Sequence, residues 1–275
     1  MPELPEVETV RRTLETLVLH KEIRDIDVFY EKMIRTDSVD DFKEKLIGRK
    51  IDRIDREGKH LIFVLGDLTL ISHLRMEGKY FIKQADINRE KHEHVIIYFT
   101  DGQTLRYHDT RKFGTMDLIK LDEIYTTHPL NKLGHEPWSE LMTPAYLKRK
   151  LANRTIAVKS FLLDQSVLVG LGNIYVDEVL FNCKLHPETS CKDLKPKDLK
   201  NIITYSKSVL EKAVKLGGTT IRSYTSSLGV TGRFQNELMV HMRKDEPCKV
   251  CNTTITKIKV NGRGTYLCTK CQKKK

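Results

Sequence analysis

Four cysteines near the end of the 275-residue chain have the type and spacing of metal ligands. Cys248 and Cys251 form one Cys-x2-Cys pair, and Cys268 and Cys271 form a second pair after sixteen intervening residues. Each pair directs two thiolates at one tetrahedral ion when a hairpin brings the pairs together. The intervening residues alternate as a hairpin does, with Asn-Gly at 261–262 as its turn. We therefore expect one structural Zn²⁺ with no open coordination position.

Positive charge is concentrated in the same segment. The chain has 48 Lys and Arg against 37 acids, and residues 248–275 contribute eight basic and no acidic side chains to the net charge of +11. Such an excess favours a polyanionic partner, either nucleic acid or an anionic membrane surface. No apolar run approaches the roughly 18 residues of a membrane span, and the acidic start is unlike a signal peptide. We expect a cytoplasmic protein in which Cys183 and Cys191 are idle thiols.

The first part of the chain is predicted to be an antiparallel β-sandwich with flanking helices. Apolar spacing predicts a helix over 4–18, and a Ser38–Asp41 capping pair predicts another over 38–48. Between and after them lie short β-type runs separated by Gly, Asp and Asn. They cover 23–30, 51–56, 60–65, 68–74, 79–83, 95–100, 104–108 and 115–121.

The pattern becomes helical after about residue 122. Helices are predicted over 144–151, 156–169, 173–184 and 197–216, the last ending at Gly217-Gly218. Between the second and third, the glycines of residues 169–173 allow a sharp turn, and Asn173 is a candidate N-cap near a phosphate site. An ordinary helical hairpin is the alternative. The fold class is thus multidomain α+β, with expected domains at 1–125, 126–236 and 237–275.

Three motifs in this order resemble the bacterial formamidopyrimidine-DNA glycosylases over the whole chain. They are the opening Pro-Glu-Leu-Pro-Glu-Val-Glu of residues 2–8, the hinge at 170–175, and Gly-Arg-Gly-Thr at 262–265 before the last cysteine pair. The sister group, endonuclease VIII, usually opens with Pro-Glu-Gly-Pro, so Leu4 favours the formamidopyrimidine branch. The resemblance implies a catalytic sandwich, a helix-two-turn-helix domain and a zinc finger.

The resemblance also implies a catalytic N-terminus. Once Met1 is removed, Pro2 carries a secondary α-amine, and α-amines titrate near pH 8, so a useful fraction is neutral and nucleophilic. This amine attacks the sugar C1′, expels the damaged base and forms an imine that permits β- and δ-elimination. Glu3 matches the general acid, and Glu6 a residue that orients the terminus. The alternative for this cluster is helix-start chemistry alone.

Further residues match DNA-contacting positions of the family. Lys59 matches an active-site lysine that touches phosphates and donates a proton in β-elimination. Arg263 matches a catalytic arginine that grips the phosphates beside the lesion and is linked to δ-elimination. Four more residues match or lie near phosphate contacts: His73, His92, Arg154 and Asn173. The alternative is that these side chains are simply solvated.

Reaching C1′ requires removing the nucleotide from the base stack. Three residues match those that fill the gap in the family: Met76, Arg111 and Phe113. Met76 and Phe113 would wedge apolar side chains between bases, and Arg111 would pair with the edge of the orphaned cytosine. Sandwich core is the alternative for Met76 and Phe113. The segment 219–236 matches the lesion-capping loop, but Arg233 stands where an aromatic residue is common, which puts base recognition by this loop in doubt.

The leading hypothesis is a base-excision repair enzyme, a bifunctional glycosylase and abasic-site lyase for oxidised purines such as 8-oxoguanine and formamidopyrimidines. One alternative is the same chemistry on oxidised pyrimidines, and another is a non-catalytic damaged-DNA-binding protein. The expected partner is double-stranded DNA with oxidised bases, bound by a monomer without membrane association in the bacterial cytoplasm.

Overall fold

The computed structural model describes residues 2–152, 154–219 and 232–274, which form two compact units. The first unit runs to Asn131 and includes Gly217–Thr219 and Gly232, and the second takes up Lys132–Leu216 and the chain from Arg233 onward. Most of the predicted lesion-capping loop, residues 220–231, lies outside the described residues. No helix within the described ranges is long and apolar enough to cross a membrane.

The first unit is the predicted antiparallel β-sandwich. One sheet has the order β1-β6-β7-β5 and the other β2-β3-β4-β8, all pairs being antiparallel. Every predicted strand is present, and each end lies within two residues of its predicted position. The strands are β1 (Ile23–Val28), β2 (Arg53–Glu57), β3 (His60–Leu65), β4 (Leu68–His73), β5 (Lys79–Gln84), β6 (Glu93–Phe99), β7 (Gln103–His108) and β8 (Thr115–Lys120).

Apolar side chains from both sheets share one buried core with the helices α1 (Leu4–Val18) and α2 (Val39–Leu46). Helix α1 buries Val7, Val10 and Leu14 in that core, as its spacing predicts. Helix α2 begins after Ser38, whose hydroxyl accepts the N–H of Asp41 at 3.1 Å. Both helices are therefore held by burial of one face and, for α2, by the predicted cap.

Two connections cross between the sheets at the same end of the sandwich. Residues 74–78 join β4 to β5, and residues 109–114 join β7 to β8. Their ends are paired, because His73 lies opposite Thr115 in one sheet and Lys79 opposite His108 in the other. We call these two segments the crossover loops. The strand order places them side by side, although they are more than thirty residues apart in sequence.

The second unit contains the helices α3 (Pro144–Leu151), α4 (Val158–Leu162), α5 (Asn173–Asn182) and α6 (Pro196–Lys215). The expected helix over 156–169 is wrong beyond Leu162. There the chain turns because Asp164 Oδ1 accepts the N–H and hydroxyl of Ser166, at 3.0 and 2.6 Å. Gln165 then holds the hinge, accepting the N–H of Gly170 and donating to the carbonyl of Leu171. The side chain thus replaces the hydrogen bonds that a continued helix would supply.

The predicted cap of α5 also needs correction. Gly172 is the N-cap residue and Asn173 is the first residue of the helix. Asn173 is therefore one position too far into the helix to be its N-cap, and its side-chain Nδ2 donates to the carbonyl of Gly264 at 2.9 Å.

The C-terminal hairpin consists of β9 (Thr256–Val260) and β10 (Arg263–Leu267). Asn261 and Gly262 have φ of 44° and 76° at its turn, the left-handed pair that a two-residue hairpin requires. Beneath it, Cys248 and Cys268 pack with Ile255, Val240 and Phe181 of α5 in a small buried cluster. This cluster is too small to fold the segment alone, so the cysteines must contribute.

Candidate functional site

The start of the chain lies buried at the positive end of α1. Pro2 and Glu3 are both buried, and the Glu3 N–H donates to Glu6 Oε2 at 2.9 Å. The other Glu6 oxygen accepts the N–H and hydroxyl of Thr219 at 2.7 and 3.1 Å. A Cβ on Gly218 would come within 2.5 Å of that oxygen, so glycine is needed for the close approach. Through these hydrogen bonds, Glu6 connects Glu3 at the start of the chain to Thr219 in the segment that follows α6.

Lys59 lies in the two-residue turn between β2 and β3 and is 7% exposed. Arg56 ties this turn to α1, because its guanidinium contacts Glu8 Oε2 at 3.1 Å and donates to the carbonyl of Gly58 at 2.9 Å. Burial by itself would raise the pKa of the Glu8 carboxyl. Hydrogen bonds from Arg11 and Arg12, together with the charges of Arg11 and Arg56, instead hold that pKa below its ordinary value. The ionised Glu8 therefore anchors the lysine turn to the helix that begins beside Pro2 and Glu3.

Two histidines lie beside this turn. His60 follows Lys59 directly and faces His73 across the β3–β4 pair, with ring centroids 4.5 Å apart. Burial, with the Arg75 and Arg35 charges nearby, lowers the pKa of His60 to about 4. Burial and the neighbouring His60 likewise lower the pKa of His73 well below its usual value. Both rings are neutral at pH 7, and His73 Nδ1 accepts the N–H of Arg75 at 2.9 Å.

The crossover loops bring the three predicted gap-filling residues together on the surface. Met76 is 36% exposed and Phe113 is 51% exposed, so neither belongs to the sandwich core. The Arg111 guanidinium lies 4.7 Å from the centroid of the Phe113 ring. An apolar wedge and a stacked cation projecting from one edge are suited to insertion between bases.

Buried Asp109 shapes the second crossover loop. One carboxylate oxygen accepts the N–H of Arg111, and the other those of Phe113 and Gly114, each at 2.9 Å. Thr110 in this loop also hydrogen-bonds to Glu77 in the first one. The two loops are therefore connected, and the arginine and phenylalanine stand on a backbone built around one carboxylate.

In the second unit, Asn173 and the Arg263 hairpin are joined by a buried polar network. Lys159 Nζ contacts Asp177 Oδ1 at 2.7 Å, Thr265 Oγ1 at 2.8 Å and the carbonyl of Gly264 at 3.3 Å. Gly264 also accepts from Asn173, and Arg263 beside it is exposed. The network holds the first turn of α5 and the Arg263 backbone in one arrangement.

The remaining predicted contacts are less closely associated. His92 is half-buried, and its ring lies 5.6 Å from that of His108. Arg154 forms an ion pair with Asp164 at 3.0 Å, so its positive charge is partly neutralised within the protein. Arg233 is exposed, and its N–H donates to the carbonyl of Leu216 at 2.9 Å.

The four predicted cysteines converge. Their sulfur atoms all lie within 4.8 Å of one another, with Cys248 and Cys271 at 4.0 Å and Cys251 and Cys268 at 3.4 Å. Zn–S bonds of about 2.3 Å in a tetrahedron place sulfurs about 3.8 Å apart. The cluster therefore fits one structural zinc ion, whose four positions are all filled by protein.

Sequence reasoning missed the residues that support these groups. Arg56, Asp109, Lys159 and Asp177 carry no motif of their own. Only Lys159 had a signal, a lysine inside an otherwise apolar helical stretch, and lysine in general is mostly exposed.

The fold and site together define a three-part protein: a sandwich with a catalytic-type N-terminus, a helix-two-turn-helix unit and a four-cysteine finger. Family models match these parts in order. The formamidopyrimidine-DNA glycosylase N-terminal domain matches residues 1–116, the H2TH domain of the same enzymes 133–225, and the zinc finger found in FPG and IleRS 245–274. Each match falls within one of the three expected domains, whose limits stay a prediction.

Full-length relatives agree. The formamidopyrimidine-DNA glycosylase of Bacillus subtilis is 51% identical and that of Bacillus licheniformis is 51% identical, with both chains fully covered. The Lactococcus lactis Fpg in complex with abasic-site DNA superposes with a TM-score of 0.93 at 45% identity, covering 99% of this chain and 100% of that one. A wild-type Lactococcus lactis Fpg complex with N7-benzyl-Fapy-dG DNA gives 0.92 with the same identity and coverage. The chain belongs to the formamidopyrimidine-DNA glycosylase family.

Proposed function

We propose that the protein is a bifunctional DNA glycosylase and abasic-site lyase that removes oxidised purines from double-stranded DNA. The observation that carries this proposal is the N-terminal cluster, in which Pro2 and Glu3 are buried at the start of α1 and Arg56 anchors the Lys59 turn to the same helix. Names of full-length relatives support the enzyme class. The relatives' DNA complexes support the partner.

The N-terminal amine is the proposed nucleophile. Because α-amines titrate near pH 8, a useful fraction of the Pro2 amine is neutral and nucleophilic at pH 7. After removal of Met1, the proline nitrogen forms a bond to C1′ while the C1′–base bond breaks. The base departs with a proton, which Glu3 is positioned to supply directly or through the opening sugar oxygen. The attached nitrogen then loses its proton, and the C1′–O4′ bond of the sugar breaks as its oxygen takes up a proton. The nitrogen lone pair forms the C=N bond, which gives the imine in its charged, iminium form.

Strand cleavage follows from the imine, which acidifies the C2′ hydrogen. Loss of that proton breaks the C3′–oxygen bond, and a second elimination breaks the C5′–oxygen bond. We assign proton donation in the first elimination to Lys59 and the grip on flanking phosphates to Arg263. His73, His92, Arg154 and Asn173 are proposed phosphate contacts, and Met76, Arg111 and Phe113 fill the vacated base position.

The decisive experiment is borohydride trapping on a duplex with 8-oxoguanine opposite cytosine. Borohydride reduces the imine to a permanent cross-link, so the wild type is expected to form an adduct and Pro2→Gly very little. Mass spectrometry of the sample establishes that Met1 is absent. An Arg53→Ala variant, altered at an exposed residue of β2, serves as the control and is expected to trap normally.

Absence of an adduct from zinc-loaded, Met-processed protein that still binds the duplex would contradict the lyase mechanism and support a binding-only role. Faster excision of an oxidised pyrimidine than of 8-oxoguanine would contradict the proposed substrate class. We further propose that the enzyme works in the bacterial cytoplasm on the nucleoid, in keeping with its bacterial relatives. A fluorescent fusion that fails to overlap the nucleoid would contradict this location.

A further inference from the structure

Tyr107 lies directly beneath both crossover loops. It is on β7, it is 1% exposed, and its ring packs at 5.1 Å against the ring of Tyr80 on β5. Its hydroxyl extends out of the core towards the end of the sandwich where the loops cross. The loops' last residues, Gly78 and Gly114, both lie against that hydroxyl.

These glycines are required for space and not for backbone conformation. A Cβ at Gly78 would come within 2.1 Å of the Tyr107 hydroxyl oxygen, and one at Gly114 within 1.7 Å. Neither glycine has a positive φ. The hydroxyl therefore occupies the volume that a side chain would fill on either loop, and it lies against both backbones.

The exposed gap-filling residues on the crossover loops are held only weakly by packing. Met76 and Phe113 project from the surface. Their positions depend on the backbones of the two loops, which are joined at the edge by Thr110 and Glu77 and which both lie against the Tyr107 hydroxyl. Loss of the hydroxyl would let the loops approach or shift, and the gap-filling side chains would move with them.

We propose that Tyr107 is a positioning residue for base removal, its hydroxyl acting as the spacer that keeps Met76 in register with Arg111 and Phe113. The inference rests on the proposed function in one respect, namely that these three side chains fill the vacated base position. Tyr107, a residue of the sandwich core, thereby contributes to removal of the damaged base from the duplex. Cleavage of a site that already lacks its base depends on Tyr107 much less.

The test compares Tyr107→Phe with Tyr80→Phe. Each change removes the hydroxyl of one of two neighbouring buried tyrosines. The Tyr80 hydroxyl donates to Ser72 at 2.8 Å, and it is not among the atoms nearest to a Cβ at Gly78 or Gly114. Single-turnover excision from an 8-oxoguanine duplex is expected to fall about tenfold in Tyr107→Phe and little in Tyr80→Phe, a misplacement effect of ordinary size. Strand cleavage at a preformed abasic site should stay within about twofold of the wild type in both variants.

Thermal unfolding is measured on both variants so that lost stability is separated from lost positioning. Equal excision rates in the two variants, or equal loss of excision and abasic-site cleavage in Tyr107→Phe, would overturn the proposal. A third variant, Gly114→Ala, should reproduce the selective loss of excision because its methyl group collides with the same hydroxyl.

Hydrogen exchange tests the spacer role of the Tyr107 hydroxyl without relying on enzyme activity. Amides of Arg111, Phe113 and Gly114 should exchange faster in Tyr107→Phe than in Tyr80→Phe, and unchanged exchange would overturn the proposal. If Met76→Ala leaves excision unchanged, the gap-filling role in the proposed function fails, while faster exchange in Tyr107→Phe still supports the spacer.

Discussion

At the scale of single residues, burial determines which groups are charged at neutral pH. His60 and His73 are stacked beside Lys59, and both are kept neutral because the surrounding protein and the nearby arginines oppose a further positive charge. A neutral pair leaves Lys59 and the arginines as the positive groups there. The same arrangement is expected to make the folded protein less stable at acidic pH.

The free energy of unfolding is expected to fall between pH 7 and pH 5. His60 has its folded-state pKa lowered to about 4, against about 6.5 when unfolded. The unfolded state therefore binds the proton first, and stability present above pH 6.5 is lost as the pH falls towards 4. The single-site contribution between pH 7 and pH 5 is about 2 kcal/mol.

Urea unfolding at the two pH values measures this loss. A His60→Gln variant, which cannot titrate there, should show a smaller pH dependence. The remainder should come from His73 and from the other histidines whose pKa burial lowers, among them His94 and His108. Identical pH dependence in wild type and variant would show that His60 is not the group responsible.

At the scale of elements, buried polar contacts hold helices and hairpins in place where apolar packing is thin. Lys159 on α4 connects α5 to β10, and neither it nor Asp177 is exposed. Asp177 also faces His241 at 2.9 Å and the N–H of Tyr266 at 3.2 Å. The hairpin that carries Arg263 is therefore fixed by an ion pair as well as by its cysteines.

Lys159→Met is expected to destabilise the zinc-loaded protein by about 3 kcal/mol, because it leaves a buried carboxylate without its cation. Adding Asp177→Asn to this variant removes the stranded charge. The loss in the double variant should be smaller than the sum of the two single losses by at least about 1 kcal/mol. Strictly additive losses in urea unfolding would show that the pair is not coupled.

Removal of zinc should unfold the C-terminal hairpin. Without the ion, the cluster beneath β9 and β10 is too small to hold them, so peptides spanning 248–272 should lose protection from hydrogen exchange. Cys268→Ser should bind no zinc and show the same loss. Cys183→Ser, a buried cysteine outside the cluster, is the matched control and should retain one zinc per chain. Full protection of the hairpin in metal-free protein would contradict the structural role of the ion.

At the scale of the whole molecule, the net charge of +11 governs association with DNA. Eight of these charges are in residues 248–275, and four thiolates with one Zn²⁺ offset about two of them. The remaining positive charge attracts phosphates over distances at which no hydrogen bond acts. Binding by a monomer stays a prediction, which sedimentation of the complex would test.

DNA affinity is expected to fall steeply with salt, since each phosphate contact releases a counterion. Arg263→Ala should lower the slope of log K against log salt by about one. Lys50→Ala removes an exposed positive charge on the sandwich unit that is not a proposed contact, and it should leave the slope unchanged. An affinity that is flat between low and physiological salt would contradict electrostatic binding.

Local patterns in the sequence predicted most of the helices and strands and the metal site. Apolar periodicity and turn residues act over a few neighbours, so the strands, α1 and the Asn261–Gly262 turn could be predicted from local patterns. The cysteine spacing sufficed for zinc because a tetrahedral ion tolerates few other arrangements. The helix over 156–169 was wrong, since Asp164 and Gln165 form side-chain hydrogen bonds that periodicity does not report.

Which distant residues act together depends on how the strands and helices pack. The strand order places residues 74–78 beside 109–114, and the exposure of Met76 and Phe113 depends on that order and not on hydrophobicity. The contacts of Tyr107 with two glycines, and of Lys159 with the Arg263 hairpin, join residues that have no pattern in common. Packing and buried hydrogen bonds are properties of the folded chain, and for that reason the supporting residues could not be read from the sequence.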